Sequence, residues 1–562
     1  MSADAVYTMN ASTVINIRGS YNSIHDSFGA SQYELKADDL SKLWNGNTWY
    51  EPYLKNLPQI YFPGMYIEQG SKTQLGVKSY WYQTPNSFNL ESTLSKNIGR
   101  HYLKTGAQYR RDNTTAARPA FMNLDFRPDD TANTFNSPNT ALSGDAWASF
   151  LLGVMDSSST VSTIPLQEPR NNYIGAFIQD DFKVNSRLTL NLGLRYEYYS
   201  PMKDPTHRLS RYLDLTAPIP ELQGSNAPQL PAQATALRTA SPIYNGAWIF
   251  TDSDHPGSWD SPKLLFMPRL GLAYKVNNKT ALRAGWARYI IPATLTDGLN
   301  ILGSVPYPGY DATSTAVAPL QGVPQETLAN PFPGGLVPVA GKAFGAYTNL
   351  GGNATWFDQN FTPGVNDRIN VSLQRQLPGQ ILADVTFFTN IGHNLPYTHN
   401  LNMVDPRISY AVGNAVNQSV ANPFYNLLPA NQMPGQLRTQ KNVSVNQLLT
   451  PYPQYGGTLS EALIGGAGDH YKSLQISVRR PVANGFNLMV GYNYNRDVDQ
   501  EFYDDVGSYL QELMWMPTQN PRQRLTGAAI YQIPVGKGHR YLNGSNRIVD
   551  GILGGWSVSG LF

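Results

Sequence analysis

Residues 188–199, Leu-Thr-Leu-Asn-Leu-Gly-Leu-Arg-Tyr-Glu-Tyr-Tyr, alternate without a slip. Leu188, Leu190, Leu192, Leu194, Tyr196 and Tyr198 fall on one side, and Thr189, Asn191, Gly193, Arg195 and Glu197 on the other. Side chains on a strand alternate faces with period two, so this segment is a strand with one greasy and one wet face. Its length, and the gathering of aromatics at one end, suit a wall between lipid and water.

The same unit recurs along the chain: strand, short turn, strand, long connection. Expected hairpins are 86–111 (turn Asn97–Arg100), 172–199 (turn Asn185–Arg187), 264–290 (turn Asn277-Asn278), 367–390 (turn Pro378-Gly379), 471–496 (turn near Ala483–Gly485) and 523–562. Asn and Gly suit tight turns because they tolerate positive φ. An earlier strand is expected at Thr13–Tyr21, with Thr13, Ile15, Ile17 and Tyr21 on the greasy side, for a total of roughly 13 to 14 strands. Phe486, Leu488, Val490, Tyr492 and Tyr494 oppose Asn487, Gly491, Asn493 and Asn495 in the same manner. So do Leu270, Leu272, Tyr274 and Val276 against Arg269, Gly271, Ala273 and Lys275, and Leu474, Ile476 and Val478 against Gln475, Ser477 and Arg479.

The connections 201–262, 291–365, 391–469 and 497–522 are rich in Pro, Gly, Asn and Ser and read as irregular loops. They all fall at the same end of the hairpins, which is the asymmetry of outer-membrane barrels, with short turns in the periplasm and long loops outside the cell. Ser143–Gly153 reads as a short helix within a loop, capped by Ser143 or Asp145.

Composition agrees. Charged residues are 15% of the chain, against about 25% in soluble domains. Aromatics reach 12%, with 34 Tyr, a ring with a polar tip that settles where an element crosses from hydrocarbon to headgroups. No apolar run approaches the ~18 residues of a membrane helix, so a membrane-spanning form of this chain has to be a closed sheet. A net charge of +2 without a basic cluster argues against nucleic acid. The absence of Cys removes disulfides, thiolate metal sites and a Cys nucleophile. Met1–Thr8 has neither the basic nor the apolar region of a signal peptide, whereas an outer-membrane barrel has to be exported; the chain is therefore expected to be a fragment.

Little else points to chemistry. The histidines, at 25, 101, 207, 255, 393, 399, 470 and 539, form no His-Glu-x-x-His and read as solvated. Asp252-Ser-Asp254-His-Pro-Gly257 opens like a calcium loop but lacks the closing Glu, Asp260 and Ser261 standing nearby instead. Asp180-Asp181 fall on opposite faces of one strand and Asp504-Asp505 in a loop, so neither is a catalytic pair. Gly536-Lys-Gly538 lacks phosphate-loop spacing. The Tyr, Asn and Trp of residues 242–259 could stack on a sugar or peptide or simply pack over the barrel mouth. No catalytic, cofactor-binding or metal-binding residue is assigned, no cofactor is expected, and substrate-binding residues stay unassigned.

Several phrases, in order, resemble the Oar-like branch of the TonB-dependent outer-membrane receptors. They are Ala148–Gly153, Phe177–Phe182, Leu188–Glu197, Pro268–Tyr274, Pro451–Gly456, Tyr471–Gln475, Pro534–Gly538 and Gly554-Gly-Trp556. The resemblance implies a barrel of 22 strands around an N-terminal plug, energised through TonB, inserted by the barrel-assembly machinery and taking up a scarce nutrient. Residues 1–562 then correspond to part of the barrel, roughly its first two-thirds, without plug or TonB box. Phe562 also fits the terminal aromatic of outer-membrane proteins, though the resemblance places its strand mid-barrel. Lipid-facing residues are expected to include Leu190, Leu192, Leu194, Val490 and Tyr492, and lumen-facing ones Asn191, Arg195, Asn487 and Asn493. The alternatives are a non-transporting barrel or adhesin, and a soluble secreted all-β protein acting on glycans.

Overall fold

The computed structural model describes residues 1–28, 34–35, 42, 44–45, 47, 49, 60–61, 64–69, 71–76, 81–117, 122–132, 143–163, 166–292, 307–310, 312–316, 326–333, 335–337, 339–483, 485–502 and 513–562. Asn484 and Asp504-Asp505, named above, lie outside them.

Among the described residues fourteen strands form one antiparallel meander in which each strand pairs with the next. They are β1 (Ser2–Asn10), β2 (Thr13–Ser23), β3 (Trp81–Ile98), β4 (His101–Ala117), β5 (Arg170–Lys183), β6 (Leu188–Tyr199) and β7 (Leu265–Asn277). The second half is β8 (Thr280–Ile291), β9 (Gly364–Leu377), β10 (Ile381–Asn400), β11 (Leu459–Ala483), β12 (Phe486–Phe502), β13 (Gln523–Gln532) and β14 (Ser557–Leu561). Among the described residues the sheet is open: β1 pairs only with β2, and β14 only with β13. This is the large antiparallel, unclosed wall expected from the alternation.

The register carries the two faces across the wall. Leu190 sits opposite Leu272, which sits opposite Ala284, and the row continues through Val371, Phe387, Leu474 and Tyr494. A parallel row runs Leu188, Tyr274, Leu282, Leu373, Val385, Ile476, Tyr492, Leu525. A one-residue slip would turn every side chain of a strand to the other face. Among the described residues nothing covers this greasy face: Leu192 is 43% exposed, Leu270 49% and Leu373 47%. The faces separate less cleanly in the last strands, where Met489 and Ile530 lie on the wet side and stay exposed.

The structure corrects the sequence reading in four places. β1 was not anticipated, because its greasy side is only Ala3, Ala5, Tyr7 and Met9; Arg18 and Asn16 of β2 hold it through Asp4 at 2.7 Å and 2.5 Å. Residues 391–400 and 459–469 are strand rather than loop, and β11 reaches 25 residues. Pairing continues there through register shifts around Leu395 and Tyr397, and Gly465, Gly466 and Gly468 hide the period of two. Residues 497–502 likewise prolong β12. The link from β13 to β14 is not a tight turn but contains a helix, Arg547–Leu553, whose first amides donate to Asn546 Oδ1.

The long connections are folded as well. Segments from the β2–β3, β4–β5 and β8–β9 connections, Gly64–Gln69, Ser71–Leu75, Met122–Phe126, Thr160–Thr163 and Ala312–Thr315, make a separate five-stranded sheet. The expected helix spans Ala146–Leu152, with Asp145 as its cap and Gly153 closing it at φ 69°. Gly153 occupies the left-handed region that glycine enters without penalty.

The two faces make opposite demands on a charge. Leu192→Arg places a cation on the uncovered apolar face and is expected to cost ~2–4 kcal/mol near the bilayer midplane. Asn191→Arg, beside the Asp181 carboxylate on the other face, is expected to be mild. Folding titrations into lipid vesicles measure both, and equal losses would contradict the assigned faces.

Candidate functional site

The wet face carries a hollow midway across the wall. One row runs Asp181, Asn191, Gly271, Gly285, Asn370, Phe388, and the next runs Gln179, Gly193, Arg269, Ala287, Arg368, Asn390. Three glycines leave a concavity of about 350 Å³. Asn191 Nδ2 donates to Asp181 Oδ1 at 2.6 Å, which anchors one edge. The guanidinium carbons of Arg269 and Arg368 lie 5.1 Å and 5.0 Å from the Tyr289 ring centre, a cation–π arrangement. Among the described residues neither arginine is ion-paired with a carboxylate. A Cβ on Gly285 would come within 2.8 Å of Asn370 Oδ1, so bulk there intrudes on the hollow.

Toward the long-loop end the same face is locked. Arg195 Nε donates to Glu197 Oε1 at 2.5 Å, Tyr173 Oη donates to it at 2.9 Å, and Tyr199 Oη reaches Glu197 Oε2 at 3.2 Å. Arg195 also donates to Tyr173 Oη. Asn191 and Arg195 therefore lie on the wet face as expected, but Arg195 is committed to Glu197. Asn487 and Asn493 share that face on β12, opposite Ile530 and Arg524.

Asp180 and Asp181 do project from opposite faces. On the greasy face Asp180 Oδ2 meets His101 Nδ1 at 2.7 Å, and the His101 ring stacks on Phe182 at 4.3 Å. Sequence reading missed this pair because its members are far apart in the chain. His393 lies in β10 rather than in a loop, 3.8 Å from Asp367 Oδ2. Asp252 Oδ1 accepts from the amides of Asp254 and His255, a local turn in which the carboxylate is already used. Among the described residues no three His, Asp or Glu side chains are grouped to hold a metal ion.

Above the wall, the loop aromatics form a core. Tyr244 and Trp248 are buried with Trp356, Phe424, Leu448 and Tyr455, and Trp248 meets Trp356 edge-on at 6.3 Å. Trp259 packs into a second cluster against Phe357 and Phe361. Of the two roles open to residues 242–259, the structure shows packing: rings buried this deeply have no face left for a ligand. Asp204, 2% exposed, is gripped by Arg208 at 2.7 Å and 3.0 Å and by the Tyr307 hydroxyl at 3.2 Å. Burial alone would raise its carboxyl; the Arg208 guanidinium holds it below the ordinary value.

A family model described as the outer membrane beta barrel domain matches residues 1–562. The chain belongs to that family. The wall is thus a β-barrel wall of the Gram-negative outer membrane, its greasy rows against lipid and its wet rows toward the lumen. No curated protein matches the chain. Among solved structures the barrel is similar to the pyoverdine receptor FpvA of Pseudomonas aeruginosa, with 10% identity, a TM-score of 0.39, and coverage of 95% of this chain and 43% of that one. It is also similar to the outer-membrane transporter YddB of Escherichia coli, with 10% identity, a TM-score of 0.45, and coverage of 94% and 48%. For the copper transporter OprC the values are 9%, 0.41, and 95% and 49%. The barrel chain spans about half the length of these proteins.

The loop core and the barrel wall should respond separately to substitution. Trp356→Ala is expected to cost the cap ~3–5 kcal/mol, exposing the loops to protease on intact cells while leaving the heat-modifiable mobility of the barrel unchanged. A second expectation concerns pH. Burial pushes the Asp130 carboxyl up to about 7, helped by Asp156 and Asp129 and opposed by the Arg127 amide it accepts from. A raised folded-state value means that stability is full at acid pH and is lost as pH rises through about 7. Amide protection over residues 128–132 and 143–152, corrected for intrinsic exchange, should therefore be higher at acid than at alkaline pH, and Asp130→Asn should abolish the difference. Equal pH dependence in the variant would contradict the assignment.

Proposed function

We propose that this barrel takes up a small nutrient across the outer membrane, an oligosaccharide or peptide being the class that best suits its amide-rich lumen face. The observation that carries the reading is the glycine-floored hollow on that face, with Asn191, Asn370, Arg269 and Arg368 around it. The folded loop cap, with buried cores of its own, supports selective entry from outside. Energy from TonB, delivered through a plug, enters the proposal from the resemblance to the Oar-like receptors. So does assembly by the barrel-insertion machinery. In this reading no residue does covalent chemistry: the cap admits the solute, and the lumen amides and guanidiniums exchange hydrogen bonds with it as it passes.

The test is uptake of labelled oligosaccharide and peptide pools by cells producing the whole natural protein. Uptake is expected to stop when the proton-motive force is collapsed, and Gly285→Leu, which fills the hollow, is expected to reduce it. Uptake indifferent to the proton-motive force would point to a passive pore. Cell-surface binding without uptake would point to an adhesin.

A further inference from the structure

The lipid-facing side of β11 is bracketed by two cations. Outward from the turn it reads Arg480, Val478, Ile476, Leu474, Lys472, His470. From Arg480 to Lys472 the strand rises about 26 Å, or about 20 Å in height at a typical tilt, close to the apolar band of an outer-membrane barrel. Arg480 is partnered: its Nε donates to Gly379 O at 3.2 Å and its guanidinium lies 5.3 Å from the Phe486 ring centre. Lys472 stands at the other boundary, on the side of the long external loops.

Lys472 is directly opposite Arg496 of β12. Like charges placed opposite each other on one face destabilise a sheet, and both side chains are exposed. Among the described residues neither has an ion pair or a hydrogen-bond partner. Among the described residues no carboxylate stands at the outward positions of β10 to β13 level with the pair: Asp384, Asp469, Asp497 and Asp499 project to the lumen, and Glu461, farther up β11, accepts from the Trp356 indole. Asp367, outward on β9, is already held by Arg288 at 2.8 Å and 3.0 Å and by Trp286 at 3.2 Å. On β10, the residue opposite Lys472 is Thr389, 6% exposed, with its hydroxyl unpartnered. Tyr494 below and Trp515 above, each nearly half exposed, flank the pair, and the His470 ring lies tilted against Trp515 at 4.4 Å.

We propose that Lys472 and Arg496 form a binding site for the phosphate of a lipid headgroup in the external leaflet. An anion between the two cations removes their repulsion, and the position suits a headgroup: at the edge of the apolar band, outward, between interfacial aromatics. The site does not depend on transport, since it lies on the opposite face of the wall from the hollow.

The test uses the full protein in detergent micelles, titrated with diphosphorylated lipid A and with the same glycolipid after removal of its phosphates, binding being read by native mass spectrometry. The protein is expected to retain the phosphorylated form selectively. The double variant Lys472→Gln/Arg496→Gln is expected to bind it roughly tenfold or more weakly. Lys472→Arg, which keeps the charge, should bind as the natural protein does, which separates loss of the site from loss of folding. Arg524→Gln removes a lumen-facing charge on neighbouring β13 and should have no effect. The proposal is overturned by equal retention of the dephosphorylated lipid, by undiminished binding in the double variant, by an equal loss in Arg524→Gln, or by inorganic phosphate binding as tightly as the lipid.

Discussion

Everything in this protein depends on an antiparallel ladder that pairs backbone groups between neighbouring strands while leaving the apolar side chains of one face exposed. In hydrocarbon an unpaired amide or carbonyl costs several kcal/mol, so the ladder is what permits the wall to exist there at all. The wall is one residue thick. It has no interior, and hence almost none of the buried apolar side chains among the described residues lie in its membrane-spanning rows; Met267 and Tyr173 are among the few. Its hydrophobic stabilisation comes from lipid, and the exposure of Leu192, Leu270 and Leu373 marks the solvent it was built for.

The external connections solve the opposite problem. They sit in water and must bury their own apolar surface. They do so by pooling: strands contributed by separate loops complete one small sheet, and rings scattered between Leu213 and Leu459 meet in one core. The cap is therefore a folded object joined to the wall where β10 and β11 prolong their pairing above the membrane. Cap and wall rest on different solvents, which is why damage to one need not spread to the other.

Charge is arranged by face and by height. On the lumen side, carboxylates near the external end are tied up by arginine and tyrosine, as Glu197 is, while the glycine hollow keeps two guanidiniums stacked on Tyr289 rather than paired with acids. On the lipid side, charge is confined to boundaries, with Asp180 and His101 near the turns and Lys472 and Arg496 toward the loops. The wall thus has a polar inside and a charged rim.

The period of two in segments such as Leu188–Tyr198 was enough to establish the fold class, most of the turns and the assignment of faces, because each strand's pattern is local and has to match a lipid–water boundary. Where that local signal faded, the reading failed: β1 has too small a greasy side, the glycine-broken start of β11 hides its alternation, and the helix between β13 and β14 interrupts a hairpin. The glycine hollow, the His101–Asp180 pair and the opposed cations Lys472 and Arg496 could not be read from the chain at all. Each is made by residues on different strands, and only the register says which of them meet. The fate of the loop aromatics was likewise decided by tertiary packing, since whether a tryptophan offers its face to a ligand or surrenders it to a core depends on what the other loops bring to it.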